Sequence, residues 1–207
     1  MSEVYNSPAG IGKSEVVEKR SRFIGLVVPV ESEAAAREEI ARVKAQYHDA
    51  RHNCWCYVLR DGSERYSDDG EPQGSAGLPM LEVFRRGGIV DVCCVVTRYF
   101  GGILLGTGGL SRAYSEAAKL ALADAGTAEF KLYECVRVIC PYNLLGIIKS
   151  SAESAGGTVE DIEYGENVVF HLLAQNGQAT ELNKRLTDVS AGVVSGVVTG
   201  QKWVIGD

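Results

Sequence analysis

Between Arg22 and Val30 apolar side chains fall on alternate positions, with Ile24, Leu26, Val28 and Val30 on one face. This predicts a β-strand, with Ser14 to Arg20 as its hairpin partner. The period then lengthens: Ala36, Ile40, Val43 and Tyr47 recur at helical spacing behind Ser32, a residue suited to cap a helix N-terminus. Asn53 to Leu59 and Glu64 to Ser67 return to strand character across Arg60-Asp61-Gly62-Ser63, whose Asp-Gly pair signals a turn. A polar loop, Asp68 to Gly77, leads into a short helix ended by Gly87-Gly88, and Ile89 to Thr97 is an almost unbroken apolar run suited to a central strand covered on both faces. Arg98 to Ala113 then places five glycines in sixteen residues. Ser111 is the expected cap of a helix whose inner face, Tyr114, Ala117, Ala118, Ala121 and Ala125, is mostly small.

The composition shifts near Gly126 to Glu129, and the remaining pattern is self-contained. Phe130 to Cys140 predicts a strand, Tyr142 to Ala155 a helix, Thr158 to Tyr164 and Val168 to Ala174 two strands, Gln178 to Thr187 a helix and Val193 to Ile205 a last strand. That order, βαββαβ, is the ferredoxin-like plan. The chain therefore reads as α+β with two domains, residues 1–128 and 129–207.

Composition narrows the class. The 207 residues are 45% hydrophobic, enough for a real core, and no run approaches the roughly 20 apolar residues of a membrane span. The opening residues lack the basic and apolar regions of a secretory signal. The six cysteines sit mostly in apolar runs, where cysteine packs as a small hydrophobe, so reduced thiols and a cytoplasmic location are expected. The net charge of −6 weighs against broad electrostatic attraction to nucleic acid. Residues 1–128 carry 15 basic and 17 acidic side chains and residues 129–207 carry 6 and 10, so any anion-binding surface belongs to the first part.

Glycine is costly to order, so the Gly101 to Gly109 stretch needs a reason. No Lys-Ser/Thr pair follows to make a Walker loop, and Ser111 stands where a dinucleotide fingerprint needs its third glycine. Two readings stay open: a glycine turn whose free N–H groups meet a phosphate or carboxylate at the helix entrance, or a loop that simply packs tightly. Asp68, Asp69 and Glu71 place three carboxylates within four residues, either a magnesium or substrate site or a solvated turn. His48, His52, Cys54 and Cys56 fit core packing better than zinc, because no second cysteine pair has ligand spacing. Arg51, His52 and Asn53 form a polar trio at a strand entrance. Arg98, Tyr99 and Phe100, with Arg112 beyond the loop, mix guanidinium groups with rings, as suits RNA or, equally, a solvated rim around a core ring.

Three stretches together resemble the IMPACT/YigZ family: Ala50 to Cys54, Ser67 to Gly77, and Val96 to Gly102 continuing through Leu105 to Leu110. The resemblance covers essentially the whole chain, although Leu78 and Leu104 stand where some relatives carry Lys. It implies a first domain folded like a small-subunit ribosomal protein and domain IV of elongation factor G, and a second like domain V of that factor. It implies a translation-associated, non-enzymatic protein that binds RNA, the ribosome or a translation-related protein through Arg51, His52, Asn53, Arg98, Tyr99, Gly101, Gly102, Gly106, Thr107, Gly108, Gly109, Ser111 and Arg112. No membrane partner, metal or cofactor is expected. The same fold superfamily includes small-molecule kinases, so the alternative is a phosphate-ligand binder or enzyme in which Asp68, Asp69 and Glu71 hold magnesium beside the glycine loop. The acidic second domain would serve protein contact, including pairing of two copies of the chain through a strand edge.

Overall fold

The computed structural model describes residues 4–206, which divide into two compact units, one of Tyr5–Glu129 and one from Phe130 onward. In the first unit β2 (Gly12–Glu18), β3 (Ser21–Pro29), β4 (His52–Val58), β5 (Glu64–Ser67) and β6 (Val92–Tyr99) form one antiparallel sheet in the order β2-β3-β6-β4-β5. A short strand, β1 (Val4–Pro8), precedes it and pairs not with this sheet but with the strand that begins at Thr127, while the Val90 N–H donates to the Asn6 carbonyl at 2.9 Å. The apolar run at β6 takes the central place, every residue from Val92 to Arg98 being buried.

Three helices cover this sheet. On one face lies α1 (Glu33–Gln46), capped by the Ser32 hydroxyl accepting from the Ala35 N–H at 3.2 Å; Ala36, Ile40 and Val43 pack there with Val28, Val30, Tyr57 and Val95. On the other face lie α2 (Gly77–Gly87) and α3 (Gly106–Ala125), over Phe23, Val27, Cys54, Cys56, Cys94 and Val96. Both faces of β3 are thus used. The alternation Ile24, Leu26, Val28, Val30 marked one of them, and Phe23 and Val27 belong to a second, larger core. The alanine face of α3 lets it settle closely on the sheet: a Cβ on Gly12 would lie 2.0 Å from the Ala121 carbonyl oxygen, and one on Gly25 2.9 Å from that of Ala117.

One expected boundary is corrected. Helix α3 begins at Gly106, five residues before Ser111, so Ser111 lies inside the helix and caps nothing. Glycine has poor helix propensity, yet Gly106 enters with φ +70°, the left-handed region open to glycine, and Leu110 anchors the turn in the core. The residues read as a loop, Gly106 to Gly109, are the first turn of the helix.

The second unit contains β7 (Thr127–Cys140) from Phe130 onward, a 3₁₀ turn (Tyr142–Leu144), α4 (Leu145–Ser154), β8 (Thr158–Tyr164), β9 (Val168–Gln175), α5 (Ala179–Val189) and β10 (Gly196–Ile205). Its strands pair antiparallel in the order β10-β7-β9-β8, the ferredoxin-like arrangement, around a core of Val138, Ile148, Phe170, Leu172, Leu182 and Leu186. No helix among the described residues is long and apolar enough to cross a membrane.

Candidate functional site

The strand register assembles the site. Arg98 on β6 lies opposite Phe23 on β3 and His52 on β4, so these three residues, distant in sequence, form a row across one face of the sheet. Tyr99, the next residue, points to the other face, where its hydroxyl donates to Asp49 at 2.7 Å. That hydrogen bond, aided by burial, raises the Tyr99 pKa.

Arg98 is held from several directions. Its side chain is 7% exposed, Nη1 donates to Glu71 Oε1 at 2.7 Å, Nη2 reaches Ser21 Oγ at 3.4 Å, and the guanidinium carbon lies 5.5 Å from the ring centres of both Phe23 and Phe100. Its Nε is buried and has no hydrogen-bond acceptor. Glu71, 4% exposed, also accepts from the Tyr114 hydroxyl at 2.8 Å. Burial foremost, with the Cys54 thiol beside it, pushes the Tyr114 pKa up, so it remains a neutral donor. Burial likewise pushes Cys54 up to about 12, leaving a protonated thiol rather than a nucleophile at neutral pH.

Around this pair opens a cleft of about 380 Å³. Arg51, His52, Glu71 and Arg98 contribute its polar wall, Pro72, Phe100, Leu104, Leu105 and Leu110 its apolar wall, and Gly106 and Thr107 the entrance of α3. Phe100 is 50% and Leu104 83% exposed, an unusual outlay of apolar surface in one loop. His52 Nδ1 lies 2.9 Å from the Asp69 carbonyl oxygen, which can only accept, so Nδ1 is the donor in this hydrogen bond. No side chain caps the N-terminus of α3, so the N–H groups of Gly106, Thr107 and Gly108 have no intrahelical acceptor and the positive end of the helix dipole is uncovered.

Of the residues singled out in the sequence, Arg51, His52, Glu71, Arg98, Gly106 and Thr107 meet in this cleft. The acidic trio does not converge, which corrects the magnesium arrangement. Asp68 Oδ1 accepts from the Ala76 and Gly77 N–H groups at 3.0 and 2.8 Å and Oδ2 from that of Gly74 at 2.8 Å, capping α2. Asp69 accepts from the Asn53 N–H and Lys44 Nζ, at 2.8 and 2.7 Å, and Glu71 turns to Arg98. Among the described residues no three His, Cys, Asp or Glu side chains gather as metal ligands.

Other candidates have structural duties. Asn53 is buried and accepts from the Thr97 hydroxyl at 2.7 Å. Gly101 lies against the β2–β3 turn, where a Cβ would stand 2.0 Å from the Arg20 carbonyl carbon, and its N–H donates to Ser21 Oγ at 3.1 Å. Gly102 turns the chain with φ +83°. Gly109, Ser111 and Arg112 line a different hollow together with Glu18, Glu116 and Lys119, and Gly108 stays beneath Arg112, whose Nη1 would lie 3.7 Å from an added Cβ. The sequence reading missed Pro72, Leu104, Leu105 and Leu110. Its available signal was the apolar Ile103-Leu104-Leu105 run inside a glycine-rich loop.

Two family models match the chain: the Impact N-terminal domain over residues 19–122 and a domain of unknown function, DUF1949, over residues 138–193. The Bacillus subtilis IMPACT family member YvyE is 38% identical over 194 residues, covering 93% of this chain and 89% of that protein. The Escherichia coli IMPACT family member YigZ is 34% identical over 178 residues, covering 84% and 87%. A solved structure described as that of a hypothetical protein superposes with a TM-score of 0.65 at 31% identity, covering 96% of this chain and 98% of the other.

Proposed function

Because the chain belongs to the IMPACT family, we propose that it is a translation-associated, non-enzymatic regulatory protein that binds RNA through the cleft of its first unit. The observation that carries this reading is the pairing, in one cleft, of cationic and N–H groups with exposed apolar side chains. Arg51 and the uncapped entrance of α3 offer partners to a phosphate, while Phe100 and Leu104 offer a surface on which an unstacked base can lie. The lining residues favour recognition over covalent chemistry: Thr107 is the sole hydroxyl among them, and Glu71 is committed to Arg98 and Tyr114.

The test is ribosome cosedimentation and binding to single-stranded RNA across a salt series, comparing wild type with Arg51→Ala and Phe100→Ala. These positions are preferable to Arg98, whose loss would disturb a buried ion pair. Binding that weakens in both variants supports the reading; binding that is absent, or unchanged in both, overturns it.

A further inference from the structure

We propose that the outer side of β10 is a self-association edge, through which two copies of this chain pair about a twofold axis at Val197 and Val198. Among the described strands β10 pairs with β7 alone, so its other side is a sheet edge. Val197 is 64% and Val198 51% exposed. Neighbouring strand residues point to opposite faces, so exposure of both means that the edge itself, and not one face of the sheet, is uncovered there. Val193, 66% exposed, precedes them, and the segment is held firmly from within. Val194 is buried, Ser190 Oγ accepts from its N–H at 3.0 Å, and Asn183 Oδ1 accepts from the Gly196 N–H at 2.5 Å.

The other long edges carry charges that discourage pairing, and this one does not. At the far side of the same sheet β8 carries Glu160, Asp161 and Glu163 within seven residues. In the first unit β5 has only four residues, Glu64 and Arg65 among them, and β2 carries Lys13, Glu15 and Glu18. By contrast, the thirteen residues from Val189 to Gln201 include no acidic, basic or histidine side chain. That neutrality selects a second copy as the occupant. In a twofold contact each residue near the axis faces its own counterpart, so a charge there would meet a like charge, and a chain of net charge −6 repels its copies in general. The next charge along the strand, Lys202, is engaged by Glu160 of the same chain. A phosphate backbone would find no cation along the stretch. The bulge between Val198 and Gly200 shortens the regular ladder, so the valines carry much of the contact and the dimer is a weak one.

The test is sedimentation velocity of the full chain from about 1 to 500 µM, a range that brackets weak interfaces. A dimer that dissociates on dilution within that range is expected. Val197→Lys and Val197→Glu should each weaken it at least about tenfold, because each sets like charges against one another, and a mixture of the two variants should associate again. Recovery in the mixture is a readout that a general loss of apolar surface would not give. Val17→Lys, at a valine equally exposed on β2, should leave the dimer unchanged. All three side chains altered are on the surface, and unchanged melting and circular dichroism establish that the variants fold. A monomer throughout the range, a dimer that survives both Val197 variants, one lost equally in Val17→Lys, or a mixture of the Val197 variants that stays monomeric overturns the inference. None of these outcomes bears on RNA binding by the first unit.

Discussion

Arg98 and Glu71 form an ion pair with both side chains more than nine-tenths buried, so removing either leaves the other as an uncompensated charge. Arg98→Ala or Glu71→Ala is expected to cost about 3–5 kcal/mol, whereas the joint Arg98→Met/Glu71→Leu replacement costs less than the sum. Urea denaturation of the two singles and the double measures the difference; additive losses would show the pair to be uncoupled. Asp91 presents the opposite case. Its Oδ1 accepts from the Arg60 N–H at 2.8 Å, but Oδ2 is buried without a hydrogen bond, and burial raises its pKa despite the Arg60 guanidinium. A carboxylate with a raised pKa in the folded state holds its proton more tightly there than when unfolded. Its contribution to stability therefore falls as pH rises above the unfolded value. Asp91→Asn keeps an acceptor and suits the φ of +52° at this position. It should melt higher than wild type at pH 7, with the advantage vanishing below the ordinary carboxylate range; a Tm difference independent of pH would refute this.

Helix α2 begins on an aspartate that is distant in sequence, since Asp68 accepts from the N–H groups of Gly74, Ala76 and Gly77. Asp68→Ala should destabilise the protein by about 2–3 kcal/mol, read by chemical denaturation, because charged acceptors at a helix start are worth more than neutral ones. The β2–β3 hairpin offers a gain instead. Its turn residues Lys19 and Arg20 have φ of +45° and +67°, so Lys19→Asn with Arg20→Gly should raise stability by about 1 kcal/mol in the same assay. Elements with strong periodicity were legible: Ser32 caps α1, Gly88 ends α2 with φ +62°, and the run at β6 is central. The start of α3 was not, because Gly106, Thr107, Gly108 and Gly109 carry the local preferences of a loop, and tertiary anchoring through Leu110 prevails over propensity. For the site, residue types were legible and partners were not. Arg98 faces His52 through a strand register that spacing alone does not disclose, and Asp68 left the acidic trio to cap a helix.

Across the whole molecule the charge is −6, so RNA binding must rest on local contacts rather than on a basic field. If two phosphates are engaged, the slope of log affinity against log salt should be about −1.4, a loss of about sevenfold between 50 and 200 mM salt. A slope several times steeper would place the contact on a broader cationic surface. The uncapped start of α3 carries a different lesson, for genetics. If its main-chain N–H groups bind a ligand, exchange for alanine leaves them in place, so a scan with alanine would pass silently over this end of the cleft. Its worth becomes visible when the N–H itself is removed, by proline or by an ester in place of the amide at Thr107.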